Sequence, residues 1–271
     1  MKIVSTGSGL NSPGFYEKRR KERRIRLILA LILLVAILVA FVYFSRQERF
    51  IISEVVVTGE EVAGRDDIVR TTSSLIAGHY LWIIPRANVF LYPRGTIKQS
   101  LLEIPRFKSV DLNLEDQTLL VSVEERIPSA LYCMNTSECY FLDEEGYIFA
   151  LAPSFSGTVY LVYTTEDPIE NPIGQSLLAS EEFKSLSSFI KSLETLNVHP
   201  VKFEIRDDEY AIFLSGGGQI MWRRESDLNV IYSNLEAFLS DETIKSQTNF
   251  LDKILQLDLR TDNKVFYKFK N

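Results

Sequence analysis

An unbroken apolar run from Leu27 to Phe44, LILALILLVAILVAFVYF, constrains this chain more than any other feature. About eighteen residues without a charge, glycine or proline extend, at roughly 1.5 Å each, close to the ~30 Å hydrocarbon thickness of a bilayer. A cleaved signal peptide would have a shorter apolar core followed by small residues. Here Val42-Tyr43-Phe44-Ser45-Arg46 places bulky aromatics at that point, which favours an uncleaved anchor over 27–45.

Charge fixes the expected orientation. Of the net −6, residues 1–26 contribute eight Lys/Arg against two Asp/Glu, a local +6, which leaves −12 for the rest. The run Lys18, Arg19, Arg20, Lys21, Arg23, Arg24 and Arg26 lies directly before the apolar stretch and outweighs Arg46 and Arg49 after it. The positive-inside rule then keeps the N-terminus cytoplasmic and puts the body outside the cytoplasm, across a plasma or inner membrane. Placed against a span, the basic run reads as a topology signal with anionic-lipid contact, not as a nucleic-acid patch. Residues 1–16 show no periodicity and are expected to stay disordered.

Beyond the anchor, Ile51 to Thr58 reads as a first strand closed by Gly59. Asp66 to Ile76 has the three-and-four apolar spacing of a helix, and Thr96 to Ile104 forms a second one stopped by Pro105. Val110, Leu112 and Leu114, then Leu119, Val121 and Val123 after Asp116-Gln117, alternate as a hairpin with one buried face. The order is strand, helix, helix, strand, strand. A second, β-rich region follows, with strands at Tyr140–Leu142, Tyr147–Leu151, Val159–Tyr163, Val201–Ile205, Tyr210–Leu214, Gln219–Trp222, Leu255–Arg260 and Val265–Phe269. Two helices interrupt it, capped by Ser180 and Ser226, and a turn at Thr261-Asp262-Asn263 joins the last two strands. The fold class is α+β.

Cys133 and Cys139 flank a five-residue neck between apolar stretches, where a local disulfide, two free thiols and a metal site are the alternatives. A zinc site would need more ligands nearby, and His79 and His199 sit far off in turn-like contexts. Neither histidine accompanies a nucleophile elbow. Glu124 and Glu125, adjacent on a strand, point to opposite faces. Gly216 to Gly218 joins two strands and lacks the Lys-Ser/Thr of a phosphate loop. The acidic turn Asp143 to Glu145 lacks the spaced ligands of a calcium loop. No enzyme, metal or cofactor chemistry is therefore expected. Binding is, and the natural place is an open sheet edge at Val265 to Phe269.

Ile104-Pro105, Val110, Leu112, Leu119, Val121, Val123, Glu125-Arg126 and Pro128 resemble the segment of the FtsQ/DivIB cell-division family in which a "V-x-E-R-x-P" strand closes a POTRA domain. Leu142-Asp143, Gly146-Tyr147 and Ile148 resemble that family's "I-D-x-x-G-x-V" hairpin, and Leu257-Asp258-Leu259-Arg260 with Lys264-Val265 its "D-L-R" strand pair. The resemblance implies a basic tail over 1–26, a membrane helix over 27–45, a β-α-α-β-β POTRA domain over 50–127 and a mainly antiparallel β domain with two or more helices over 128–271. It also implies a bitopic scaffold at the division septum that links septal peptidoglycan-synthesis proteins and recruits small coiled-coil FtsB/DivIC-like and FtsL-like partners. Carried over by position, the contact residues would be Leu257, Arg260, Val265, Phe266 and Tyr267. A membrane-tethered POTRA chaperone or secretion component, holding clients by strand addition, is the alternative. The departures from the family are the stretch Leu81 to Gly95, with Trp82, Pro85 and Pro93, and the cysteine hairpin.

Overall fold

The computed structural model describes the backbone of residues 13–155, 157, 159–247, 249–261 and 264–270, with side chains from Arg20 onward. Residues 1–12, the side chains of Lys18 and Arg19, and Asp262 and Asn263 of the expected turn lie outside the described set. Helix α1 spans Pro13–Ser45, so the expectation of disorder fails for residues 13–16. The strong helix formers Glu17 to Lys21 carry the helix back from the apolar stretch to Pro13, which a first turn tolerates. From Arg20 to Ser45 this helix is long and apolar enough to cross a membrane. Its Leu27, Leu33 and Val39 are exposed on all sides, as in a helix whose solvent is lipid.

The chain divides into two compact units, one of residues 1–101 with 110–123, the other of 102–109 with 124–271. In the first, β1 (Glu54–Thr58), α2 (Arg65–Ile76), a short hairpin of β2 (His79–Tyr80) and β3 (Ile84–Pro85), and α3 (Arg94–Leu102) precede the pair β4 (Phe107–Glu115) and β5 (Thr118–Glu125). The three-stranded sheet has the order β1-β5-β4, with β1 parallel to β5 and Val57 opposite Val121. Val57, Val110, Leu112, Leu119 and Val121 are buried with Ile68, Thr72 and Ile76 of α2 and Ile97 and Leu101 of α3. Gly59 ends β1 at φ +86, and a Cβ there would lie 2.1 Å from the Val123 carbonyl oxygen, so only glycine fits.

Two elements are bounded differently from expectation. The first strand begins at Glu54, because Ile51 bridges Asn88 and the Ile52 N–H bonds the Ala87 carbonyl, which draws this stretch to a loop. The second helix is shifted to start after Pro93, whose carbonyl accepts from Ile97 N at 3.0 Å. It ends before Ile104, which Pro105 disfavours in a helix.

The second unit carries a nine-stranded, mostly antiparallel sheet built from β6 (Ala130–Cys133), β7 (Cys139–Leu142), β8 (Ile148–Leu151), β9 (Val162–Thr165), β10 (Pro200–Ile205), β11 (Glu209–Leu214), β12 (Gln219–Arg223), β13 (Ile254–Thr261) and β14 (Lys264–Phe269). Its order is β14-β13-β12-β11-β10-β9-β6-β7-β8. Helix α4 (Ser180–Ser192) lies between β9 and β10, and α5 (Leu228–Ser240), α6 (Glu242–Lys245) and α7 (Phe250–Lys253) lie between β12 and β13. Both of these strand pairs are parallel, since each connection is long enough for a crossover. Phe183 and Phe189 of α4 pack on Tyr163 and Trp222, each pair with ring centroids 5.2 Å apart, and Phe203 and Tyr210 complete the aromatic core.

Neither expected serine cap forms. Ser180 is already helical, with the Phe183 N–H bonded to Ala179 O, and Asp227, not Ser226, accepts from Asn229 N at 2.8 Å. A carboxylate suits the positive helix start better than a hydroxyl. The expected strand Val159–Tyr163 is displaced to Val162–Thr165, because Tyr160 packs edge-to-face with Phe155 and Phe141.

Candidate partner-binding edge

Strand β14 closes one end of the large sheet and, among the described residues, pairs only with β13. Leu257 lies opposite Tyr267 and Asp258 opposite Phe266, so these pairs occupy opposite faces. On the helix-covered face, Tyr267 and Phe269 pack with Phe238 and Phe250 in tilted and edge-to-face pairs at centroid distances of 5.4 to 6.0 Å. Phe266 stands on the other face, 56% exposed, and Tyr267 keeps 46% of its surface. Lys264 and Lys268 are exposed on the Phe266 side, and Lys270 Nζ closes the strand's end on the Asp252 carbonyl at 2.6 Å.

The family-derived contact set divides accordingly. Leu257 is wholly buried and belongs to the core, because the strand period turns it inward beneath Tyr267. Its side chain offers no surface to a partner in this state. Val265 is half-buried against the same core, whereas Phe266 and Tyr267 are presented to solvent. Phe269, 37% exposed, belongs with them. The alternation of Val265, Tyr267 and Phe269 marks it as a strand residue in the sequence, but not as an exposed one.

Arg260 is held inside a ladder of ion pairs across the outer face. Lys202 bonds Glu204 (2.8 Å), Glu204 bonds Arg206 (2.8 Å), Arg206 bonds Glu209 (2.6 Å), Glu209 bonds Arg260 (2.9 Å) and Arg260 bonds Asp258 (2.6 Å). The Arg260 guanidinium holds the Asp258 carboxyl below the usual carboxylate range. Burial pushes the Glu204 carboxyl up, but the bonds from Lys202 and Arg206 outweigh it and bring it below that range. Carboxylates lowered in the fold stabilise it above their unfolded pKa, near 4, and lose that contribution as pH falls through the lowered values. Urea midpoints should therefore drop below about pH 4, and Arg260→Met, which removes the ladder's last cation, should make the drop shallower.

The other positions considered for chemistry are engaged structurally. Glu124 accepts from Ser109 Oγ at 2.8 Å, and Glu125 faces Arg106 at 3.9 Å. In the acidic turn, Glu144 pairs with Lys108 (2.8 Å) and Glu145 with Lys184 (2.9 Å). Asp143 is buried, bonded to Arg126, and accepts from the backbone N–H groups of Glu145 and Tyr147, both at 2.9 Å. Gly146, at φ +79, closes this turn where a Cβ would meet the Phe183 ring at 2.6 Å. Gly216 to Gly218 forms the turn between β11 and β12. Cys133 and Cys139 are register partners across β6 and β7 and are joined by a disulfide. Among the described residues, no three His, Cys, Asp or Glu side chains come together in a way that could hold a metal ion.

No known family model matches the chain, and no curated protein matches it.

Proposed function

We propose that this chain is a membrane-anchored, non-catalytic scaffold of the FtsQ/DivIB kind, with a cytoplasmic N-terminus and an extracytoplasmic body, that works at the division septum. The observation that carries the reading is the aromatic edge of β14, unpaired on its outer side among the described residues, with Phe266 and Tyr267 turned to solvent beside lysines. Such an edge offers backbone hydrogen bonds to an added strand and apolar contacts for its alternate side chains. Its lysines suit a partner strand flanked by acidic residues. The partners proposed are FtsB/DivIC-like and FtsL-like coiled-coil proteins, through which septal peptidoglycan-synthesis proteins are held together.

Two further features support this reading. The helices α2 and α3 lie between β1 and the β4–β5 pair, the order of elements that the resemblance to a POTRA domain implies. In addition, Arg126 and Asp143, which belong to two separate family-like motifs, bond each other. The test is photo-crosslinking from a reactive residue at position 266 of the full-length protein in its native host. One small single-pass coiled-coil protein should dominate the adducts. A diverse set of unfolded clients would replace the scaffold with the tethered chaperone, and an absence of adducts would make the edge idle.

A further inference from the structure

The stretch 81–91 carries the most exposed apolar side chains outside the anchor helix. The turn Tyr80–Ile83 joins β2 to β3, closed by Ile83 N–H donating to Tyr80 O at 3.0 Å. Its central residues, Leu81 and Trp82, sit at φ +47 and +66, the left-handed region that such a turn ordinarily fills with Asn-Gly. Leu81 is 87% exposed and Trp82 94%. A bulky pair is thus held in strained backbone at a hairpin tip, where burial in its own unit returns nothing. That combination points to a surface outside the protein.

The position of this tip is fixed by the anchor. Arg46 Nε, one residue past the end of α1, donates to Ile83 O at 2.9 Å, and the buried Asn88 side chain donates to Ser45 O at 3.0 Å. Phe90 and Leu91, also exposed, border an apolar recess of about 460 Å³ whose opposite wall is Phe41 and Phe44 in the last turns of α1. Arg46, Arg49 and Arg86 ring the same region, with Arg49 over the Phe50 ring at 4.9 Å and Arg86 over Tyr80 at 5.4 Å. Where the apolar helix ends, the bilayer's carbonyl and phosphate layer begins, and Trp, Tyr and Arg are the side chains that settle in it.

We infer that the β2–β3 tip and Phe90 form a lipid-docking foot: Leu81, Trp82 and Phe90 enter the interfacial layer of the leaflet at the C-terminal end of α1, while Arg46, Arg49 and Arg86 meet phospholipid phosphates. The occupant is the bilayer that α1 itself crosses, so the inference rests on α1 being a span and not on any partner of β14. Its effect is to seat the first unit on the membrane surface instead of leaving it on a free tether.

The test uses the full-length protein in phosphatidylcholine–phosphatidylglycerol nanodiscs. The chain has two tryptophans, and Trp222 is fully buried, so the emission lost in Trp82→Phe is that of Trp82. Lipids brominated near the carbonyl should quench this component at least about twofold and acrylamide should reach it poorly, as for an interfacial indole. A second variant, Leu34→Trp in the Trp82→Phe background, reports the span through deeply brominated lipid. If the Leu34→Trp signal is quenched and Trp82 answers only to acrylamide, the foot is wrong and the anchor stands. If the Leu34→Trp signal is not quenched, the span fails and the foot fails with it.

Discussion

Asp143→Ala should lower stability by about 3–5 kcal/mol, the expected cost of stranding the partner of a buried ion pair. Asp143 is buried, Arg126 keeps only 15% of its side-chain surface, and the same carboxylate serves two backbone N–H groups of its turn. Arg126 is further committed, donating to Pro105 O at 3.2 Å and lying over the Tyr147 ring at 4.0 Å, contacts that oppose its swinging out to solvent when its partner goes. Asp143→Asn, which keeps an acceptor for Glu145 and Tyr147 but loses the charge, should fall between wild type and Asp143→Ala. Urea unfolding followed by Trp222 emission in a Trp82→Phe background measures all three. Equal midpoints for wild type and Asp143→Ala would show that the pair contributes nothing.

Leu257→Ala and Phe266→Ala should separate core from interface on the last two strands. Leu257 is fully buried, and its truncation should cost about 2–5 kcal/mol of stability. Phe266 projects from the outer face, so Phe266→Ala should leave stability within about 0.5 kcal/mol of wild type. It should instead weaken partner binding at least about 30-fold, the equivalent of about 2 kcal/mol for an aromatic anchor. Thermal unfolding and a binding titration with the crosslinked partner read the two effects. A Phe266→Ala protein that binds normally would remove this residue from the site.

The parts of the fold legible in the sequence are those in which the pattern is local. Val110 and Leu112, then Leu119, Val121 and Val123, alternate as the buried face of the expected hairpin, and the stripe Phe183, Leu186, Phe189 and Ile190 is the buried face of α4. What α4 and the α5–α7 connection do was not legible, because a periodic stripe reports a buried face but not which strands its flanks join. That β9 meets β10, and β12 meets β13, in parallel follows from crossover geometry. The same limit explains why the burial of Leu257 was not legible: motif position says which strand a residue is on, while the strand's inner or outer phase is set by pairing with β14. The foot was legible only as a departure, since Trp82 stands out in Leu81 to Gly95 but nothing there reveals the reversed φ that exposes it.

The lysines of β14 also bear on self-recognition. An aromatic edge open to any strand is open to its own copy, and two β14 strands laid antiparallel about Phe266 would set Lys264 of each against Lys268 of the other. Like charges placed directly opposite on one face disfavour that pairing, twice over. The edge is thus biased against pairing with its own copy and stays receptive to a heterologous strand of opposite sign, so crowding many copies in a small patch of membrane would not by itself consume the binding strand.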